Sequence, residues 1–350
     1  MNVSTLRPTT PSLTNHIASA KENKESQGAD EAEMHPGPAT EDTADLKPGD
    51  KGYDGEKVNV KFGAPLSHKL VAAAGALGTA ACVGRMLWQV AEQPTLGAKI
   101  AWGAGALAAG VAGYAAADFG SGVFHHFIDN YPKKPDIAKP GELSWNTPVI
   151  GDMAAEFQVH HHFTRDLEKV PFISNLYPSG KFMWAGLAAL AAFSPNAAVT
   201  AAGTAFLGGA FLAQGSHRWT HEPNPPAIGK FLQKVGLAQS KEDHYTHHKM
   251  PWADHYCIVN GMWNPVLTRN DFWRKWEGLI YRTTGAEPNS WRDPGVKELA
   301  LGEITKEEFL NRRPEDKKIF QSLVRASGER EALMPWLHGR EELTENHAPK

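Results

Sequence analysis

Three long stretches that are almost free of charged side chains constrain the fold more than any other feature of the chain. Residues 70–91 contain one charged side chain, Arg85, and residues 100–117 and 182–213 contain none. A helix needs about 20 apolar residues to cross a bilayer, so each of the first two stretches matches one crossing. The third is too long for one crossing, and its Ser-Pro-Asn sequence at 194–196 predicts a turn between two helices. The sequence therefore predicts an all-α integral membrane bundle with about four transmembrane helices.

The alternative interpretation of these stretches is an alanine-rich helical bundle buried inside a soluble protein. The Gly and Ala residues that fill them are also typical of closely packed membrane helices, and we prefer the membrane interpretation. The 36 basic and 39 acidic residues nearly balance, so charge gives no reason to expect a nucleic-acid partner. The two cysteines exclude a disulfide framework and a four-cysteine metal site.

Composition divides the chain into three predicted parts. Residues 1–62 are rich in Ser, Thr, Pro and charged side chains and predict a disordered tail. The tail has no apolar segment of the secretory type, and its acid-free first 20 residues are a weak sign of a transit peptide. Residues 63–291 predict the membrane domain. Residues 292–350 are charged, with short helical patterns, and predict a soluble helical extension.

Histidines are the second unusual feature of the sequence. Of its 16 histidines, eleven lie between residues 125 and 255. Within the clusters at 217–221 and 244–248 the spacings are i, i+3 and i+4, which place the imidazoles on one face of a helix. Neutral imidazole binds iron, zinc, copper and nickel. A zinc protease matches poorly because Arg218 stands where the glutamate of H-E-x-x-H belongs. The Glu-x-x-His pairs of soluble di-iron bundles are absent from the expected places.

The predicted hairpin decides whether these histidines can meet. With four crossings, the loop 118–181 and everything after residue 214 lie on one side of the membrane. The connections on the opposite side carry almost no basic residues. Seven basic residues flank the histidine side: Lys133, Lys134, Lys139, Lys169, Arg218, Lys230 and Lys234. The positive-inside rule then predicts that the histidines face the cytoplasm, or the stroma in a plastid.

Four groups of residues resemble the motifs of a known family. They are Asp118-Phe-x-Ser-Gly-x-x-His125-x-x-x-Asp129, Phe157-Gln-x-His160-His161, Gln214-x-x-His217-x-Trp219-x-His221 and His244-x-x-His247-His248-x-x-Pro251. Together they are similar to the membrane lipid desaturase family that includes Kua, the bacterial CarF protein, animal plasmanylethanolamine desaturase and plant fatty acid desaturase 4. The resemblance covers residues 118–291. The chain departs from the family pattern at Thr164 and at 167–169. We expect this region to contact the lipid headgroup, so the resemblance leaves the substrate open.

The resemblance implies an oxidoreductase that uses O2 and two iron ions to introduce a double bond into a chain of a membrane glycerophospholipid. The hydrocarbon chain of the lipid would be an acyl chain, as in palmitoyl-phosphatidylglycerol, or the alkyl chain of plasmanylethanolamine, whose desaturation gives a plasmalogen. Eight positions match the family's iron ligands: His125, His160, His161, His217, His221, His244, His247 and His248. Asp129, Glu156 and Asp243 are expected to orient these imidazoles. His126, His162 and His255 fall outside the eight and are expected to form hydrogen bonds; the alternative is an additional ligand among them.

Electrons must come from another molecule, because the chain has no c-type haem motif, no dinucleotide-binding loop and no cysteine set for a cluster. We expect a donor of the ferredoxin or cytochrome b5 type. Three alternatives stay open: a lipid hydroxylase with the same metal site, a non-catalytic Kua-like module that localises a partner at the membrane, and a metal transporter. A transporter would carry polar side chains inside its spans, and a localising module would not need all eight histidines.

Overall fold

The computed structural model describes residues 64–164, 166–329 and 332–333. The predicted tail, residues 1–62, and the end of the predicted C-terminal extension lie outside this part of the chain. The described residues form helices with no β-pairing beyond one bridge between Lys133 and Ser144. The α-helices are α1 (Leu66–Ala91), α2 (Leu96–Asn130), α3 (Gly151–His160), α4 (Phe172–Phe193), α5 (Ala197–His221), α6 (Ala227–Lys234), α7 (Lys241–His248), α8 (Asn264–Arg269), α9 (Phe272–Thr284), α10 (Pro294–Leu301) and α11 (Lys306–Ala326).

Three of the described helices, α1, α2 and α5, are long and apolar enough to span a membrane. The apolar stretches of the sequence predict about four crossings, and the first arm of the hairpin would be one of them. That arm, α4, has 22 residues, but its first half contains the polar residue Asn175 and the charged residue Lys181, which leaves only its second half apolar throughout. By length and composition, three of the described helices could therefore cross a membrane. Because α4 packs along α1 and α5, the hairpin still returns the chain to the end of the bundle where α4 began.

The predicted turn at 194–196 is confirmed, and α1 holds it in place. Asn196 caps α5 by accepting a hydrogen bond from the Val199 backbone N–H at 3.0 Å. The Ser194 carbonyl at the end of α4 accepts bonds from Arg85 Nη2 at 3.0 Å and from Gln89 Nε2 at 2.9 Å. The one charged residue in the first apolar stretch therefore satisfies a helix terminus. This polar contact lies at the end of the bundle away from the histidines.

Small residues bring α2 and α5 into close contact. A Cβ atom added at Gly113 on α2 would lie 2.1 Å from the Ala202 carbonyl oxygen on α5, and the nearest atoms are all backbone. Backbone cannot move aside as a flexible side chain can, so only glycine fits here. This contact fixes how α2 and α5 lie together, and both helices carry histidines at their C-terminal ends.

Replacing Gly113 with alanine is expected to destabilise the bundle by about 1–3 kcal/mol, the usual range for overpacking. Gly105→Ala is the matched control, because a Cβ there meets nothing within 4 Å, and alanine favours an exposed helix position by up to about 1 kcal/mol. Thermal unfolding of the two variants in detergent tests this. Equal melting temperatures would contradict the close contact.

The loop after α7 is bound to α2 by a buried carboxylate. Asp118 accepts backbone N–H bonds from Asn260 and Gly261, each at 2.9 Å, and from Trp263 at 3.2 Å. In the C-terminal part, Phe320 of α11 is buried and makes an edge contact with Trp252, at 5.6 Å between ring centroids. The loop after α7 is thereby held against α2 at residues 260–263 and against α11 at Trp252.

Candidate metal centre

Five histidines from three helices converge in the first of two clusters, the five-histidine group. It consists of His160 of α3, His217 and His221 of α5, and His244 and His248 of α7. One nitrogen of each lies within 4.8 Å of the others. All except His221 are buried. The helical i, i+4 spacing predicted for the α5 and α7 pairs is what places both members of each pair in the group.

The second cluster, the mixed group, contains three histidines and one carboxylate: His125, Asp129, His161 and His247. Asp129 Oδ2 lies 3.2, 3.4 and 3.6 Å from the Nε2 atoms of the three histidines in that order. All four side chains are buried. The two groups adjoin, since the rings of His161 and His248 have centroids 5.6 Å apart. All eight predicted histidines thus fall into two neighbouring groups.

The nitrogen contacts test whether these groups fit metal ions. His221 Nε2 lies 2.8 Å from His244 Nε2, 2.9 Å from His160 Nε2 and 3.3 Å from His217 Nε2. One imidazole nitrogen offers one proton or one lone pair, so hydrogen bonding can satisfy only one of these contacts. A cation about 2.1 Å from each nitrogen would hold adjacent nitrogens about 3 Å apart. The donor set therefore fits a metal ion better than a hydrogen-bonded cluster.

The histidines of α7 are suited to ligation because their environment keeps them neutral. Burial, with neighbouring imidazoles as the next cause, lowers the pKa of His244, His247 and His248 well below its usual range. A neutral ring keeps a lone pair that a metal can accept, whereas a protonated ring has none. These side chains would therefore bind a cation at neutral pH without first losing a proton.

Backbone and amide oxygens fix which ring nitrogen faces the groups. His125 Nδ1 donates to the Tyr256 carbonyl at 3.0 Å, and His247 Nδ1 donates to the Asp254 carbonyl at 2.8 Å. His217 Nδ1 contacts Gln214 Oε1 at 3.1 Å. A carbonyl oxygen can only accept, so Nδ1 carries the proton in the first two rings and Nε2 keeps the lone pair. These two carbonyls could not be foreseen from the sequence, because backbone atoms carry no residue signature.

The remaining predicted site residues take different places. Asp129 is expected to orient an imidazole by a hydrogen bond to the ring nitrogen that faces away from the metal. Its carboxylate instead lies among the three Nε2 atoms of the mixed group. Asp243 accepts from His255, Gln239 and Asn264 and braces the loop after α7. Glu156 is half-buried on α3 and belongs to neither group.

The three additional histidines have partners outside both groups. His126 Nε2 contacts Glu277 Oε1 at 3.1 Å, and its ring stacks on Trp273. His162 Nε2 lies 3.6 Å from Glu329, and His255 contacts Asp243. Glu277 is fully buried and also binds Arg274 at 2.9 Å, and these contacts lower the pKa of its carboxyl. Sequence analysis missed Glu277, which is 151 residues from His126 and belongs to no motif.

Replacing Asp129 with asparagine is expected to weaken metal binding in the mixed group. An amide keeps the shape of the carboxylate but removes the negative charge that offsets a bound cation. After dialysis, the variant should retain about half as much bound metal per chain as the wild type, because a ligand set weakened 10–100-fold loses its ion first. Asp152→Asn, an exposed carboxylate on α3, is the control. Full metal retention in the Asp129 variant would exclude a role for this carboxylate in holding metal.

Comparison with known proteins places the site inside a matched segment. Residues 114–291, about half of the chain, match the model of the lipid desaturase domain family. This segment contains every member of both groups. No solved structure matches the chain.

The chain is also similar to several curated proteins. Fatty acid desaturase 4, chloroplastic, of Arabidopsis thaliana is 32% identical over 199 residues, which cover 56% of this chain and 58% of that protein. Fatty acid desaturase 4-like 1, chloroplastic, of the same plant is 32% identical over 185 residues, or 52% and 59%. Plasmanylethanolamine desaturase of Myxococcus xanthus is 29% identical over 188 residues, or 52% and 63%. The chain spans about three fifths of the length of these relatives.

Proposed function

The chain belongs to the lipid desaturase family, and we propose that it introduces a double bond into a hydrocarbon chain of a membrane glycerophospholipid, with O2 as oxidant and two iron ions as cofactor. The observation that carries this proposal is the pair of adjoining donor groups, one of five imidazoles and one of three imidazoles and a carboxylate. Both lie where helices long and apolar enough to span a membrane end, which is where a lipid chain could approach them.

The overall reaction balances with two electrons and two protons from outside. Two adjacent methylene groups lose one hydrogen each and become a C=C bond, O2 is reduced to two water molecules, and two electrons and two protons enter. When bound, the two irons would supply the activation of O2. Imidazole nitrogens and one carboxylate are ligands that iron accepts, and the eight histidines His125, His160, His161, His217, His221, His244, His247 and His248, with Asp129, would hold them.

The protein's own residues do the positioning. The Tyr256 and Asp254 carbonyls hold two rings with Nε2 turned into the mixed group. Aromatic rings exclude water around it: Phe157 makes an edge contact with His125, with ring centroids 4.9 Å apart, and Trp252 stacks on His161 at 5.0 Å. A dry, rigid site limits side reactions and keeps the reacting carbon atoms in place.

We propose an acyl chain of a phospholipid such as phosphatidylglycerol as the first substrate to test. Two of the relatives are named as fatty acid desaturases and are 32% identical to this chain. The alkyl chain of plasmanylethanolamine is the second candidate, because a relative with that printed name is 29% identical. The donor of electrons would be a ferredoxin or a cytochrome b5 type protein, and the active site would face the cytoplasm or stroma, as the basic residues near the histidines predict.

Lipid mass spectrometry of a host with and without the protein tests the proposed function. A phospholipid that is two mass units lighter and appears only when the protein is expressed would support desaturation. A product that gains one oxygen would instead support the alternative, a lipid hydroxylase with the same metal site. An unchanged lipid profile with normal expression and bound iron would overturn both enzymatic proposals and favour a non-catalytic membrane module.

A further inference from the structure

Helix α6 carries an apolar face that the described part of the chain leaves exposed. Ile228 and Phe231 of α6 and Val235 at its end share this face, because they are spaced i, i+3 and i+7. Each of these side chains is between 48% and 57% exposed. Lys230 and Lys234 are also exposed and lie on the adjacent face of the helix. The helix is therefore amphipathic, with lysines beside its apolar face.

Gly229 marks the side of α6 that packs on the protein. A Cβ atom added there would lie 3.0 Å from the indole ring of Trp219 on α5. Because a helix turns about 100° per residue, Phe231 points away from this contact. The same helix connects α5 with α7, which together carry four of the five histidines in the five-histidine group. A surface that holds α6 therefore also holds the connection between two ligand-bearing helices.

The end of α6 lies beside the turn of α2 where the uncharged stretch ends. The Tyr114 hydroxyl on α2 donates a hydrogen bond to the carbonyl of Leu237, an exposed residue three positions beyond α6. Tyr114 lies in the uncharged stretch 100–117, and Asp118 is the first charged residue after it. Since α2 is long and apolar enough to span a membrane, this turn is where it would pass from hydrocarbon into the headgroup region.

A second segment places apolar side chains around the same turn of α2. The Trp263 indole N–H donates to the Ala115 carbonyl at 2.8 Å, and the neighbouring Met262 and Val266 are exposed. Tryptophan is enriched where a bilayer meets water, because its ring is apolar and its N–H is polar. Two segments that are separate in the chain thus present exposed apolar side chains beside one turn of α2.

We propose that α6 is a membrane-binding helix that lies in the headgroup region of the bilayer. Ile228, Phe231 and Val235 insert among the upper parts of the acyl chains, and Lys230 and Lys234 contact the phosphates of anionic phospholipids. An apolar face bordered by lysines is the pattern of helices that lie at a bilayer surface. A lipid occupant fits better than a protein partner, because the exposed face lies beside a helix that is long and apolar enough to span the membrane.

Fluorescence quenching in lipid nanodiscs tests this placement in the full-length protein. Phe231→Cys carries an NBD label on the apolar face, and Lys230→Cys carries it on another face of the same helix as the matched control. The native cysteines, Cys82 and Cys257, are fully buried, so the label reacts at the introduced site. Val235→Cys gives a second position on the apolar face in case Phe231→Cys fails to fold. The nanodiscs contain equal amounts of phosphatidylcholine and phosphatidylglycerol, one of which carries a nitroxide quencher near the top of an acyl chain.

Nitroxide lipids are expected to quench the Phe231→Cys label about threefold more than the Lys230→Cys label, whereas iodide in the buffer should quench the Lys230→Cys label more. Nitroxide phosphatidylglycerol should quench the Phe231→Cys label about twofold more than nitroxide phosphatidylcholine, because lysines near the surface enrich anionic lipids. Lys234→Glu in the Phe231→Cys protein should remove this excess. Lys318→Glu, at an exposed lysine on α11, changes the net charge equally and should leave the excess unchanged.

Four outcomes would overturn the proposal. Iodide quenching of the Phe231→Cys and Val235→Cys labels without lipid quenching would place the apolar face in water. Labels shielded from both quenchers would show that a second copy of the chain or another protein covers this face. Equal lipid quenching of the Lys230→Cys and Phe231→Cys labels would mean that α6 is immersed in the bilayer, and equal quenching by both lipids would remove the contact with anionic headgroups. Because none of these measurements uses desaturation, failure here is distinguishable from failure of the proposed function.

Discussion

Replacing His247 with alanine is expected to abolish formation of the desaturated lipid, with a loss of at least about 100-fold. His247 is fully buried, and its Nε2 lies 3.0 Å from His161 Nε2 and 3.6 Å from Asp129 Oδ2. It is therefore central to the mixed group, and its helix also carries two members of the five-histidine group. Alanine removes one nitrogen donor and leaves the Asp254 carbonyl without its partner. The measurement is product per unit of expressed protein by lipid mass spectrometry.

His68→Ala is the matched control for this variant. His68 lies on α1, stacks on Tyr177 and contacts Ser174 at 3.0 Å, and it belongs to neither metal group. Its loss should leave product formation within about twofold of the wild type, since surface and peripheral changes are usually small in energy. Equal product from the His247 variant and the wild type would remove the mixed group from the mechanism.

Removing the metal ions is expected to lower the melting temperature of the purified protein by about 10 °C. A ligand that binds only the folded state, at 1,000 times its Kd, stabilises that state by about 4 kcal/mol, and each kcal/mol corresponds to roughly 2–4 °C for a domain of this size. Without metal, the Nε2 atoms of His221 and its neighbours face one another, and hydrogen bonds cannot satisfy all of these contacts. Unfolding with and without a chelator measures the difference.

Adding iron back should restore the original melting temperature. A variant with His244→Ala and His247→Ala lacks one ligand in each group, so chelator should change its melting temperature much less. An equal drop in this double variant and in the wild type would show that the chelator acts elsewhere, and no drop in the wild type would contradict a metal-dependent fold.

Helical periodicity and turn chemistry predicted the parts of this molecule that depend on local sequence. The Ser-Pro-Asn turn at 194–196 lies between α4 and α5, because proline lacks a backbone donor and the asparagine side chain caps the helix that follows. The i, i+4 spacing of His217 and His221 depends only on α5 being helical. The all-helical fold follows from the same local rules.

The parts that could not be predicted depend on contacts between residues far apart in the chain. Asp129 was expected to orient an imidazole, but its distance to His161 and His247 is set by how α2, α3 and α7 meet. The burial of Glu277 against His126 depends on α9 lying beside α2. The α4 helix begins ten residues before the uncharged stretch at 182, and in this first half Asn175 is buried by its contacts with Leu167 and Arg218.

Metal analysis of the purified full-length protein tests the central claim most directly. Two adjoining groups of buried imidazole and carboxylate donors should hold two iron ions per chain when the protein is produced in iron-rich medium and purified without chelators. A ratio near two, with little zinc, is the predicted result. One zinc ion per chain, or protein that is folded, active and free of iron, would contradict the account.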